Sequence, residues 1–240
     1  MRRKGSCYLP GRLYDLAFAG IFRGLRGRVA AAVERDGLYP WLDVCCGTGS
    51  QLRGHVPASR EAVRVPDLVA PDLVVCSLDQ QRGHGPVVRV PDLVVCGLDK
   101  SAGLVHYAAA RAPGLPFVCG DAARLPFKDG AFRAVSVSFG LHDKSPDLRR
   151  AMMAEARRVL ASGGRFIAVD FENPWSFKSK AGALAVRTVE RLAGGEHYRN
   201  GRDFLKRGGL RAFLRESGFV ETARHEIEVG SISVVVASPR

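Results

Sequence analysis

The residue types best suited to chemistry lie in "WLDVCCGTGS", Trp41 to Ser50, where a short apolar run carries an acid, two cysteines and a Gly-Thr-Gly turn. Three readings fit those types: a redox or metal cysteine pair, a glycine loop that admits a ligand to the backbone, or a strand running into a turn. Cys45 and Cys46 are adjacent, so along a strand their side chains point to opposite faces and do not converge on one metal ion. They read as small packing residues, and the reading calls for no metal. None of the six cysteines has C-x-x-C spacing, which fits a reduced, cytosolic protein. Gly47 and Gly49 suit the ligand loop, because a Cβ there would collide with whatever approaches the amides. The carboxyl end of a first core strand is also where open α/β sheets bind ligands. The nicotinamide fingerprint is incomplete, since Leu52 stands where a third glycine is required, and no G-K-[ST] phosphate loop occurs. A ligand with adenosine but without phosphates suits the loop better.

The elements that must position this loop follow from periodicity. Residues 13–36 place Leu13, Leu16, Ala17, Ile21, Leu25, Val29 and Val33 at helical spacing, with a break expected near Gly20. Short strands are expected at Leu42–Cys45, Val94–Leu98, in "PFVCGD" and at Ala134–Phe139. Helices are expected after Ser101 and after Ser145, the second with Pro146 at its first position and Gly163-Gly164 beyond its end. This alternation predicts a mostly parallel sheet covered by helices. "VETARHEIEV" and "SISVVVAS" predict an antiparallel C-terminal hairpin.

One anomaly interrupts the pattern. "PDLVVCSLD" at 71–79 is nearly restated as "PDLVVCGLD" at 91–99, and two copies cannot fill one strand slot. A helix-patterned stretch follows Asp99, whereas "QQRGHGP" follows Asp79 and cannot begin one. The second copy is therefore assigned to the sheet, and 57–87 reads as an insertion with a duplicated strand.

The net charge of +12 favours an anionic partner, whether lipid surface, nucleic acid or acidic small molecule. The apolar runs fall short of the ~20 residues that cross a bilayer, and the basic start is followed by no signal-type core. A soluble protein is expected.

"LDVCCGTG" resembles the first motif of the class I S-adenosylmethionine-dependent methyltransferases, and is similar to that of the ubiquinone/menaquinone-biosynthesis methyltransferases. The likeness extends to "YDLAFAGIFRGLRGRV", "VVCGLDKSAGLVHYAAARA", "GDAARLPFKDGAFRAVSVSFGLHD" and "VLASGGRFIAVDFENP". It departs from the family at the insertion, at "ASGG" in place of a Pro-Gly-Gly turn, and in the C-terminal third. The resemblance implies a single Rossmann-like, doubly wound, mostly parallel seven-stranded α/β sheet over 1–240. It also implies a helical lid at 1–37, and a helical cover over the acceptor site at 172–212 in which Tyr198, Arg199 and Arg202 meet a polar head. The cofactor would be S-adenosylmethionine. Its binding set would be Asp43, Cys45, Gly47, Thr48, Gly49, Asp99, Lys100, Asp121, Ala122, Ser138 and Phe139. Asp99 would accept both ribose hydroxyls, Asp121 the adenine amine with the Ala122 amide on the ring, and Asp43 with the glycines would face the amino-acid end. Asp99 lies 50 residues past Gly49 and Asp79 only 30, so Asp79 is the rival for the ribose. Capping of local turns is the structural alternative for Asp43 and Asp121.

His142, after the fourth strand, is the candidate to take a proton from a phenol or amine, beside a purely structural role. The expected partner is a small apolar acceptor such as a quinone precursor, methylated at carbon, with peripheral contact to an anionic membrane face. Nucleic acid ranks lower for want of an RNA-binding module. The alternatives are an RNA or other macromolecular methyltransferase, and a binder of the cofactor that has lost the chemistry.

Overall fold

A computed structural model of the chain describes residues 11–53, 75–76, 95–173, 195–227 and 231–240. Eight strands form one sheet: β1 (Trp41–Val44), β2 (Val75–Cys76), β3 (Val95–Asp99), β4 (Phe117–Cys119), β5 (Phe132–Ser138), β6 (Leu160–Phe171), β7 (Phe219–Ile227) and β8 (Ile232–Pro239). Their order is β2-β4-β3-β1-β5-β6-β8-β7. The run β4-β3-β1-β5-β6 is parallel, and β8 and β7 close one side as the antiparallel hairpin. Seven of the strands make the expected doubly wound sheet. The eighth, the two-residue β2, pairs antiparallel with β4 at the opposite edge.

Five helices are described: α1 (Gly11–Arg35), α2 (Ala102–Arg111), α3 (Pro146–Val159), α4 (Gly195–Lys206) and α5 (Gly209–Glu216). α1 passes through Gly20 without a break, since one glycine costs a helix interior only ~1 kcal/mol. Ser101 caps α2 by accepting from the Leu104 amide, and Ser145 caps α3 by accepting from that of Leu148. Buried Val105, Ala108 and Ala109 lay one stripe of α2 on the sheet.

Two apolar clusters occupy the two faces, and β1 feeds both. Leu42 and Val44 enter one, Trp41 the other. Cys45 and Cys46 divide in the same way, as their adjacency requires. Chain order turns about β1: the chain goes from β1 to β3 and β4 on one side, then returns to β5 and β6 on the other. Such a reversal opens a crevice at the carboxyl ends of the strands.

Candidate active site

A cavity of about 250 Å³ fills that crevice. Asp43, Cys45, Gly47, Thr48, Asp99, Lys100, Asp121, Ala122, Ser138 and Phe139 all reach its wall. Leu25 and Arg26 of α1 form part of the rim, and the Gln51 side-chain amide donates to the Arg26 carbonyl at 3.1 Å.

Asp43 has 2% of its surface exposed. Burial pushes its carboxyl up to about 7, against the lowering effect of Ser136 and with a further rise from the Asp99 charge. The Ser136 hydroxyl donates to Asp43 Oδ1 at 2.6 Å and receives the Trp41 indole N–H at 2.8 Å. This relay exists because Trp41 and Asp43 share one face of β1, and Ser136 is the β5 residue in register with Asp43.

The loop after β1 bends sharply. Cys45, Gly47 and Gly49 all have positive φ, at 59°, 54° and 68°. Gly47 donates to Asp99 Oδ2 at 2.9 Å, and Ser101 donates to Asp99 Oδ1 at 2.9 Å, so the end of β3 anchors the loop. Turns continue through Arg53, with Gly49 donating to the Cys46 carbonyl and Leu52 to that of Gly49. The two glycines do different work. A Cβ on Gly47 would meet nothing within 4 Å, so the backbone there fronts open space. A Cβ on Gly49 would come within 2.7 Å of the Phe117 ring and 2.8 Å of Ala108. Gly49 stays out of the cavity wall and lets the loop settle on β4 and α2.

At the far rim, Lys100 Nζ donates to Asp121 Oδ2 at 2.8 Å, and the Ala123 amide donates to Oδ1 at 3.0 Å. The Lys100 bond, then that amide, lowers the Asp121 carboxyl below its usual range. Burial pushes the Cys45 thiol up to about 12 and raises Cys46 and Cys96 as well, so these sulfurs stay protonated.

β5 exits through Phe139, a non-glycine residue at φ 55° whose amide donates to the Val169 carbonyl at 2.7 Å. Backbone held this way costs about 1–3 kcal/mol and clusters at functional sites. Ser138 Oγ is buried there without a hydrogen-bond partner in the protein. His142 lies outside the cavity wall. Its Nδ1 is 2.7 Å from Asp170 Oδ1, and its ring meets Phe171 and His197 edge-on at 4.7 and 5.4 Å. Asp170 also accepts the Leu141 and His142 amides, which fixes this turn.

The turn instead delivers Asp143 and Lys144 to the wall, with Leu148 and Met152 of α3 beside them. These four were missed in the sequence. No local sequence signal marks them, because the way this turn faces is set by Asp170 of β6, which holds His142 and its amide. Tyr198, Arg199 and Arg202 of α4 stay out of the wall, and the Arg202 guanidinium lies 5.8 Å from the Tyr198 ring. Asp79 and residues 174–194, the bulk of the expected cover, lie outside the described residues.

Comparison with known proteins agrees with this geometry. A family described as a methyltransferase domain matches residues 85–164. The demethylmenaquinone methyltransferase of Streptomyces griseus subsp. griseus is 29% identical over 231 residues, covering 92% of this chain and 85% of its own. That of Beutenbergia cavernae is 47% identical over 74 residues, a match reaching over 31% of this chain and 30% of that relative's length. A ubiquinone/menaquinone biosynthesis C-methyltransferase of Caulobacter vibrioides is 30% identical over 160 residues, 67% of this chain and 55% of its own. Among solved structures, the magnesium protoporphyrin IX methyltransferase of Synechocystis, determined with bound SAH, superposes with a TM-score of 0.55 at 16% identity. That match covers 98% of this chain and 90% of the other, and shows the shared fold. Motifs, sheet order and relatives agree on a class I S-adenosylmethionine-dependent methyltransferase domain, similar to the ubiquinone/menaquinone biosynthesis methyltransferases.

Proposed function

We propose that this cavity binds S-adenosylmethionine and that the chain moves the methyl group to a ring carbon of a small apolar acceptor such as a quinone precursor. The observation that carries the cofactor half is the donor set of the wall. Open space fronts the backbone of Gly47, a buried Ser138 hydroxyl lacks a protein partner, and a desolvated carboxylate stands at Asp43. An amino-acid end satisfies all three, lying close over Gly47 with its carboxylate accepting from the Ser138 hydroxyl and its ammonium meeting Asp43. Each Asp99 oxygen takes one amide and keeps accepting capacity for a ribose hydroxyl. Asp121 accepts the adenine amine once Lys100 yields Oδ2, with the Ala122 amide toward the ring.

When bound, the cofactor supplies an electrophilic methyl on a sulfonium. The chain's share is alignment and exclusion of water, which supply most of the acceleration of an in-line displacement. The acceptor half is supported by the apolar Leu148 and Met152 in the wall and by the relatives, a demethylmenaquinone methyltransferase and a C-methyltransferase of ubiquinone/menaquinone biosynthesis. The +12 charge would hold the enzyme near anionic headgroups, where such acceptors partition.

Titration with S-adenosylhomocysteine, followed by assay with S-adenosylmethionine and a panel of reduced naphthoquinone precursors and RNA, tests the proposal. Saturable binding and a ring-methylated product detected by mass spectrometry are expected. Product on RNA alone would move the acceptor to a macromolecule, and a wild-type protein that does not bind S-adenosylhomocysteine ends the reading. Asp99→Ala should weaken that binding by more than ~1 kcal/mol, from lost charge-assisted hydrogen bonds.

A further inference from the structure

Beside the apolar Leu148 and Met152, the cavity wall holds the carboxylate of Asp143. Asp143 Oδ1 is buried and has no hydrogen-bond partner in the protein, while the residue lies in the cavity wall. The other oxygen is engaged: Lys144 Nζ stands 2.6 Å from Oδ2, and His197 Nδ1 of α4 stands 3.7 Å away. The backbone is held as well, since the Asn200 side-chain amide donates to the Asp143 carbonyl at 2.9 Å. One oxygen thus has its counter-charge and a fixed position, and the second is buried beside the cavity with accepting capacity unspent. A buried acceptor left unpaired is costly, so a ligand that places a donor there is favoured over one without it.

The chemistry of that donor follows from the surroundings. Lys144 already answers the carboxylate's charge, so a second cation is not required; a neutral O–H or N–H is. Leu148 and Met152 in the same wall ask for an apolar body behind it. We infer that Asp143 is the specificity-determining contact for the methyl acceptor, receiving a hydrogen bond from a hydroxyl carried on an apolar ring. This rests on the methyltransferase reading of the cavity. The roles separate along the turn: His142 is bound inward to Asp170, and the adjacent Asp143 meets the ligand.

The test compares 1-naphthol with 1-methoxynaphthalene, which differ only in the donor, binding to protein saturated with S-adenosylhomocysteine. A site built to pair a hydroxyl rejects the analogue lacking it, so wild-type protein should prefer the naphthol by about 10-fold or more. Asp143→Ala should bring the two dissociation constants within about twofold by weakening the naphthol and not the ether. Asp143→Asn, isosteric and safe for the fold, should retain a reduced preference through its carbonyl oxygen. A merely structural role would weaken both ligands together.

The inference is overturned if wild type shows no preference or fails to bind the naphthol, or if either variant keeps the full preference. It is also overturned if Asp143→Ala weakens S-adenosylhomocysteine by more than about tenfold, which would move the residue into the cofactor site. Failure of the wild type to bind S-adenosylhomocysteine is read separately, in the first titration, and would remove the methyltransferase reading together with this one.

Discussion

At the scale of single residues, Asp43 joins stability to binding through its proton. Its carboxyl titrates near 7 when folded and near 3.8 otherwise, because burial penalises the anion. The folded chain therefore holds a proton that the unfolded chain has lost throughout that interval. Its contribution to stability is complete below about pH 3.8, falls as pH rises toward 7, and is gone above it. Cofactor affinity moves oppositely, since an ammonium requires the carboxylate, and should climb through pH 7 with one proton released per cofactor bound below that point. Asp43→Asn should raise stability at pH 8 by roughly 2–3 kcal/mol, keeping an oxygen for Ser136, and flatten the pH dependence of binding. Denaturant midpoints and calorimetry in buffers of different ionisation heat check both halves.

At the scale of elements, one ring decides which copy of the duplicated strand fills the central β3 slot. Phe117 of β4 lies where a Cβ at Gly97 would stand, 2.5 Å from its Cδ1 and 2.7 Å from its Cε1, and the same ring closes on Gly49. The earlier copy carries Ser77 where the later one carries Gly97, so it cannot take the β3 slot unless Phe117 moves. Gly97→Ser should cost roughly 2–3 kcal/mol from overpacking. Phe117→Leu should return part of that loss, the interaction energy being read from a double-mutant cycle. A cycle with no coupling would deny the ring this role.

What the sequence made legible divides along the same line. The Ser101 and Ser145 caps and the C-terminal hairpin depend on local pattern, and local pattern is readable, while the choice of Asp43, Asp99, Asp121 and Ser138 followed from the family resemblance. The separate duties of Gly47 and Gly49 were not readable, because Phe117 lies far along the chain. Nor was the exchange of His142 for Asp143 at the cavity, which depends on Asp170 arriving from the next strand. Which copy fills the β3 slot was readable from the helix pattern after Asp99, whereas the Phe117 contact that excludes Ser77 was not.

For the molecule as a whole, one side of the crevice is tied to the C-terminal helices by a buried cation. Arg149 of α3 donates from Nε to the Leu141 carbonyl at 3.0 Å and from a terminal nitrogen to the Asn200 carbonyl at 2.8 Å, with its guanidinium 4.9 Å from the Phe204 ring. It thus ties the turn after β5 to α4, and Asn200 in turn holds Asp143. Arg149→Met, which keeps the stem and loses the donors, should lower stability by about 2–4 kcal/mol. S-adenosylhomocysteine at about 100 times its dissociation constant should recover about 2.7 kcal/mol of it by mass action, seen as a concentration-dependent rise in melting temperature.

The Lys100–Asp121 bond at the mouth carries a kinetic meaning. An exposed contact of that kind is worth only ~0–1 kcal/mol, and exposed side chains swing in picoseconds to nanoseconds. Under the proposed reading the lysine competes for the Asp121 seat with fresh and spent nucleoside alike, so it shortens both residence times, and by no more than that small energy allows.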